Sequence, residues 1–454
     1  MNLTDRFLDS ILKLADAPLS PGSVRQVERC ILDYICVTFA GRKMLGDRLA
    51  AIEQGAPEGN CEVLGTDKKL SVYPAAFLNG FAAHFAELDD GNRTGAPHLE
   101  AVIISAMLAV AQSTEISFER FIKGIIVGYE ATTRLSSAMQ PGHKQKGFHA
   151  TGTCGTIGVA LAAGYALGYT RTQLKSTLSA AAAASAGLLH MLDDDSELKP
   201  YNVAGAITRG LEAAFFGRCG LTGPDDVLSG KRGFLSVFTD ETDLFKLMGA
   251  FSMPAIYLRY VKPYASCRHS HPAVECALTI CGEHDIDPAA IQKIEIQTYK
   301  QGIYGHDQTD ITSVNAARMS TPYSVAAATV LGSCGIEAFT KKTIARKDII
   351  DLVQKVSIAE NARMTEKCPE ERGAAVTFIM HDGSSYTAEV GNPLGEPEHP
   401  LSDEVLEAKF HSLMTYARVY KRDQDRINNA VRALDRNYDD LINGRFFKLD
   451  LRKR

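Results

Sequence analysis

Apolar positions recur along most of this chain at helical spacing. Between Pro21 and Gly41 one stripe carries Val24, Val27, Ile31, Tyr34 and Ile35, with Gly41 supplying a stop. The same periodicity predicts helices over 73–86, 99–112, 117–136, 152–168, 171–190 and 203–219. Two segments, Tyr73-Pro-Ala-Ala-Phe-Leu-Asn-Gly-Phe-Ala-Ala and Ala101-Val-Ile-Ile-Ser-Ala-Met-Leu-Ala-Val-Ala, are apolar nearly all round, the pattern of buried helices. Small residues dominate Gly155-Thr-Ile-Gly-Val-Ala-Leu-Ala-Ala-Gly and Ala180-Ala-Ala-Ala-Ala-Ser-Ala-Gly, which lets helix backbones approach closely. Residues 43–72 are more polar, with Cys61-Glu-Val-Leu-Gly as a short extended piece.

The pattern changes near residue 267. A helix is expected over Pro272 to Glu283, while Lys293-Ile-Glu-Ile-Gln-Thr-Tyr alternates strictly, as a half-buried strand does. Ala374 to Val390 reads as a hairpin turning at Asp382-Gly383, and helices at 321–332 and 346–353 complete a smaller α/β domain. Residues 402–443 return to helical spacing. The expected organisation is a helical domain over 1–266, an α/β domain over 267–401, and a C-terminal return to the helical body over 402–454.

Composition narrows the class. Of the 454 residues, 45% are hydrophobic and 23% charged, which argues for a globular chain, and a net charge of -5 gives no basic footprint for nucleic acid or an anionic membrane. No run of 18 apolar residues occurs and the N-terminus lacks a signal-peptide core, so no membrane span and a cytoplasmic location are expected. Ten cysteines without disulfide spacing fit reduced thiols.

Candidate chemistry lies where the apolar pattern breaks. The stretch His84-Phe-Ala-Glu-Leu-Asp-Asp-Gly-Asn-Arg-Thr-Gly-Ala-Pro-His98 joins the two buried helices through a loop marked by two glycines and a proline. It would carry Glu87, Asp89, Asp90, Arg93 and His98 to a low-dielectric interior, where pKa values can be tuned for chemistry; helix capping and ion pairing are the alternative. In Lys146-Gly-Phe-His-Ala-Thr-Gly-Thr-Cys-Gly155 a glycine-spaced turn feeds a helix, whose N-terminal donors would suit an anion with His149 beside it as proton carrier, or simply start the helix. Its spacing is not a dinucleotide fingerprint, and Gly230-Lys231-Arg232 is not a phosphate loop.

Lys199, before a helix-starting proline, reads either as a partner for a substrate carboxylate or as a surface lysine. Lys262-Pro-Tyr-Ala-Ser-Cys-Arg-His-Ser-His-Pro offers Cys267, His269 and His271 as metal ligands, or Arg268 and the histidines as a carboxylate clamp. With no CxxC or HExxH in the chain, the clamp is preferred.

Together these stretches make the chain resemble the MmgE/PrpD family, which includes 2-methylcitrate dehydratase, cis-aconitate decarboxylase and iminodisuccinate epimerase. The resemblance is carried by Glu87-Leu-Asp-Asp-Gly, Gly147-Phe-His-Ala-Thr-Gly-Thr-Cys-Gly, Lys199-Pro with Asn202, Gly210-Leu-Glu-Ala-Ala, Gly223-Pro, Lys262-Pro-Tyr, Cys267-Arg-His-Ser-His and Pro322-Tyr-Ser-Val-Ala, and spans nearly the whole length. It implies a mainly α fold, a large all-α domain formed from both chain ends with a smaller α/β (α+β) lid domain, a homodimer, and neither metal nor organic cofactor. Carried over by position, it implies a cleft lined by Glu87 to Asp90, His98, His149, Lys199, His269 and Tyr323. Asn92 and the pair His98-Leu99 depart from the family pattern.

The expected function is that of a cofactor-independent lyase or isomerase, a dehydratase or epimerase removing a proton next to a carboxylate of a small di- or tricarboxylate. The catalytic candidates are His98, His149, Lys199, Asp90 and Tyr323; Glu87, Asp89, Arg93, Arg268, His269 and His271 would bind substrate, and no metal is expected. The alternatives are a cis-aconitate-type decarboxylase, a metal hydrolase using His269 and His271, and a non-catalytic helical scaffold or binding protein.

Overall fold

The structure is a computed structural model that describes residues 1–192 and 196–447. Two units emerge: Met1–Asp193, Leu198–Arg259 and Ser402–Arg454 form one, and Tyr260–Leu401 with Asp194–Glu197 the other. Among the described residues no helix is long and apolar enough to cross a membrane.

The first unit is built on long helices. The buried helix Ala150–Ala166 packs against Phe118–Met139 on one side and Lys199–Phe216 on another. Its small residues set that closeness. A Cβ added at Gly158 would lie 1.9 Å from Thr132 Oγ1, and one at Gly210 would lie 2.7 Å from the Thr156 carbonyl oxygen. No larger side chain fits without moving backbone. The helices expected at 73–86 and 99–112 run Val72–Phe85 and Glu100–Ser113, buried over most of their surface.

At the C-terminal end Ser402 caps the helix Asp403–Tyr416 by accepting from the Val405 N–H, with Asp403 and Glu404 in the first turn favouring the helix dipole. That helix packs on Pro21–Leu45, and Arg25 and Arg29 both pair with Asp403.

The expectation of an all-α domain with an α/β lid is overturned. The helical unit itself holds an antiparallel ribbon of β1 (Glu58–Glu62) and β2 (Lys69–Leu70), so the molecule is mostly helical with two small sheets. Two strands alone are marginal in water. Here buried amides from the helices stand in for further strands: Asn79 accepts from the Leu64 N–H and donates to the Glu62 carbonyl, and Gln112 accepts from the Glu62 N–H. Helical periodicity cannot reveal a ribbon stabilised from outside itself.

The second unit carries a four-stranded sheet, β3 (Ile291–Thr298), β4 (Val356–Glu360), β5 (Ala374–Met380) and β6 (Ser385–Val390), in the order β4-β3-β5-β6. The β3–β4 pair is parallel and the other two antiparallel. Alternate residues of β5 are buried, and the helix His271–Glu283 packs on β5 and β6. The β5–β6 turn falls at Asp382-Gly383, where Gly383 takes φ +85° and Asp382 accepts from the Ser384 N–H.

Candidate functional site

The loop between Val72–Phe85 and Glu100–Ser113 starts with a strained residue. Glu87 takes φ +56°, a left-handed conformation costly for a side chain with a Cβ, and turns the chain sharply after the helix. Asn92 closes the far side: its Oδ1 accepts from the Thr94 and Gly95 N–H groups, and its Nδ2 donates to the Leu258 carbonyl. The side chain that departs from the family pattern is therefore the anchor of this turn.

Asp89, fully buried, is the centre of the cluster. Its Oδ2 lies 2.7 Å from His84 Nδ1 and 3.2 Å from His98 Nδ1. Burial opposes its charge, but the two imidazoles outweigh that and hold the carboxyl well below the usual carboxylate range. His98 Nδ1 also lies 3.0 Å from the Asp90 carbonyl oxygen. Since a carbonyl only accepts, Nδ1 carries the hydrogen and Nε2 holds the lone pair.

His149 caps the start of Ala150–Ala166, its ring 6.2 Å from that of His98 and 6.4 Å from that of His84. Thr151 links the two segments by accepting from the His98 N–H at 2.9 Å and lying 3.4 Å from His149 Nε2. Beside them Lys199, at the first turn of Lys199–Phe216, makes a close ion pair with Glu87. Burial pushes His98 down to about 4, with Asp89 pulling the other way, and pushes His149 well below the usual imidazole range, with the Lys199 ammonium adding to the effect. Both rings are therefore neutral near pH 7. Asp89 Oδ1, His84 Nε2 and His149 Nδ1 are buried without a hydrogen-bond partner among the described residues.

Asp90 has a different place from the one expected. Its Oδ1 accepts from the Leu99 and Glu100 N–H groups at 3.0 and 2.8 Å, capping the next helix, and its Oδ2 accepts from the Tyr129 hydroxyl at 3.0 Å. Arg259 stands 3.7 Å from the same oxygen. Burial pushes the Asp90 carboxyl up, against the pull of Arg259. It is an anchor and does not face the imidazoles. Arg93 is half-buried on the turn.

The remaining candidates lie in the second unit. Tyr323 is fully buried and its hydroxyl donates to the Ala338 carbonyl at 2.6 Å, so it is not available to move a proton. His271 Nε2 lies 3.2 Å from the Ser266 carbonyl oxygen and its ring against Tyr264, at the head of a helix. Arg268 is buried and paired with Glu396, a structural ion pair in place of the expected carboxylate clamp. His269 lies 2.5 Å from the Tyr299 hydroxyl through Nδ1 and stacks on His306.

Sequence reasoning missed His84, although an imidazole on the last turn of an apolar helix, five residues before Asp89, was a legible signal. Tyr129, Arg259 and Lys409 had no local signal, because they reach this loop from segments distant in sequence. Lys409 donates to the Leu88 carbonyl at 2.9 Å and pairs with the buried Asp33.

Residues 7–245 match the MmgE/PrpD N-terminal domain and residues 264–436 the MmgE/PrpD C-terminal domain. Among similar proteins, the cis-aconitate decarboxylase of Aspergillus terreus is 25% identical over 455 residues, covering 94% of this chain and 92% of that protein. The cis-aconitate decarboxylase-like protein oryM of Aspergillus oryzae is 23% identical, covering 96% and 95%. The human cis-aconitate decarboxylase is 24% identical, covering 90% and 87%. With its two domains matched in order along most of its length, the chain belongs to the MmgE/PrpD family.

Proposed function

We propose that this chain is a cofactor-independent lyase or isomerase that removes or delivers a proton next to a carboxylate of a small di- or tricarboxylate. The observation that carries the reading is the pairing of His84 and His98 with one ionised, buried Asp89, with the His149 ring beside theirs and buried polar atoms left without hydrogen-bond partners among the described residues. Buried polar atoms without partners cost about 1–3 kcal/mol each, so such a cluster favours a polar ligand. His98 is the base: Asp89 and the Asp90 carbonyl hold its Nδ1–H, which leaves Nε2 to take the proton, and the resulting imidazolium is met by the Asp89 charge. Lys199 supplies an ammonium to a substrate carboxylate, exchanging part of its pairing with Glu87.

Once protonated, the same imidazole can give its proton to a departing hydroxyl in dehydration or to carbon after loss of carbon dioxide, whereas epimerisation needs a second group, with His149 the nearest imidazole, to deliver the proton to the opposite face. The relatives' names favour decarboxylation, and cis-aconitate is the first acid to test. The active species is read as a homodimer, which light scattering checks.

Purified protein should be incubated with cis-aconitate, citrate-like acids and amino dicarboxylates in deuterated water and followed by proton NMR. A turned-over acid should acquire deuterium at the carbon next to a carboxylate. His98→Gln should lose that exchange and His149→Gln should slow it. If both variants are folded and turn over at the wild-type rate, the assignment of the base is wrong; if no acid exchanges or reacts with wild-type protein, the function is wrong.

A further inference from the structure

In the second unit, Cys267, His269 and His306 each offer one ligand atom, and the three atoms lie within 4.8 Å of one another. We propose that they form a binding site for a divalent cation of the zinc class, with three protein ligands and an open fourth position. Sequence spacing had pointed to His271 as the third ligand. The fold turns His271 to the Ser266 carbonyl and brings His306 in its place.

The donor set suits a borderline-soft ion: one thiolate and two imidazoles match zinc better than a hard cation such as magnesium. One pair of donors is already near the spacing such an ion requires. Bonds of about 2.3 Å to sulfur and about 2.05 Å to nitrogen at a tetrahedral angle place the two donors roughly 3.6 Å apart. Cys267 Sγ and His306 Nε2 are 3.9 Å apart, so closure needs a shift of about 0.3 Å.

The support around the ligands is also that of a metal site. His306 Nδ1 lies 2.9 Å from the Met319 carbonyl oxygen, an acceptor only, so Nδ1 carries the hydrogen and Nε2 keeps its lone pair for the cation. His269 Nδ1 lies 2.5 Å from the buried Tyr299 hydroxyl, which fixes the ring plane. The backbone holds two ligands to one segment: the Cys267 N–H donates to the Arg318 carbonyl, and the His306 carbonyl accepts from the Thr321 N–H. The ligands are thus set by the fold before any ion arrives. Three protein donors leave the fourth position to water or an exogenous anion, which marks an exchangeable ion and not one needed for folding.

The test uses the full-length chain, freed of metal by chelator dialysis, titrated with zinc against a chromophoric chelator and separately with cobalt. One equivalent of zinc per chain is expected, and the cobalt form should show a thiolate-to-metal charge-transfer band. Cys267→Ser should abolish that band and weaken zinc binding at least tenfold. His306→Gln should weaken zinc to a similar degree, while His84→Gln, in the other cluster, should leave it unchanged. Thermal unfolding without metal confirms that each variant is folded. Failure of the wild type to take up one equivalent, or uptake that survives Cys267→Ser and is lost in His84→Gln, overturns the proposal. Metal uptake is read without any acid present, so its failure leaves the proposed reaction untouched.

Discussion

Asp89→Asn keeps the shape of a fully buried side chain and removes its charge. In the native site Oδ2 accepts from His84 and His98 together, and that charge partly offsets the burial that drives His98 down to about 4. Without it the His98 imidazole becomes a still weaker base, and the imidazolium formed on taking the substrate proton loses its counter-ion. One charge-assisted hydrogen bond of this kind is worth about 1.5–3 kcal/mol. At about 1.36 kcal/mol per factor of ten, kcat/KM should fall roughly 10- to 150-fold.

The same substitution affects stability with a definite sign. Because the Asp89 carboxyl is held well below its unfolded range, its charge stabilises the fold above about pH 4, and that contribution is lost as pH falls through the lowered folded value. Asp89→Asn should therefore unfold at a lower temperature at pH 7 and show a flatter dependence on pH in acid. Steady-state kinetics by NMR at pH 7 and calorimetry across pH measure the two effects. A folded variant whose kcat/KM stays within about twofold of wild type would refute the pairing of Asp89 with the base.

Two further outcomes follow from the same geometry. With His98 neutral down to about 4, the acid limb of kcat/KM should lie well below the ordinary imidazole value of about 6.5, while that of kcat moves upward because bound substrate anions favour the imidazolium; a kcat/KM limb at about 6.5 would count against a buried base. The stability that neutral His98 contributes is complete above pH 6.5 and declines toward pH 4, on the order of 3 kcal/mol in all. Lys199→Ala should raise KM about tenfold or more with little loss of fold, whereas Arg268→Ala, which breaks the buried ion pair with Glu396, should cost about 3–5 kcal/mol of stability in calorimetry; the reverse pattern would exchange their roles.

What the sequence made legible was whatever is encoded within a turn or two of helix. The buried helices either side of the loop, the His84–His98 stretch and the entry of His149 into Ala150–Ala166 all stand in local pattern. Burial direction is not local. Tyr323 and His271 occupy motif positions, yet the Tyr323 hydroxyl and His271 Nε2 are taken up by the Ala338 and Ser266 carbonyls, and Arg268 is committed to a carboxylate that lies 128 residues away in sequence. Asn79 and Gln112, which support the ribbon inside the helical unit, are single amides in apolar helices and carry no pattern of their own.

The adjacent acids Asp89 and Asp90 show why the loop needs the whole helical unit behind it. Successive side chains in an irregular segment point different ways, and here their surroundings drive the two carboxyls apart: Asp89 meets two imidazoles and is held ionised, while Asp90 meets helix donors, Tyr129 and Arg259 and is pushed up by burial. Beneath them burial and the neighbouring acids raise Glu100 well above the carboxylate range, so it tends to keep its proton, while Lys409 answers Asp33. Pairs of titratable groups split by environment are a mark of sites that move protons. Lys409 comes from the C-terminal return, and by donating to the Leu88 carbonyl it holds the backbone directly before Asp89. The last helices of the chain thus help to set which of two neighbouring acids faces the imidazoles.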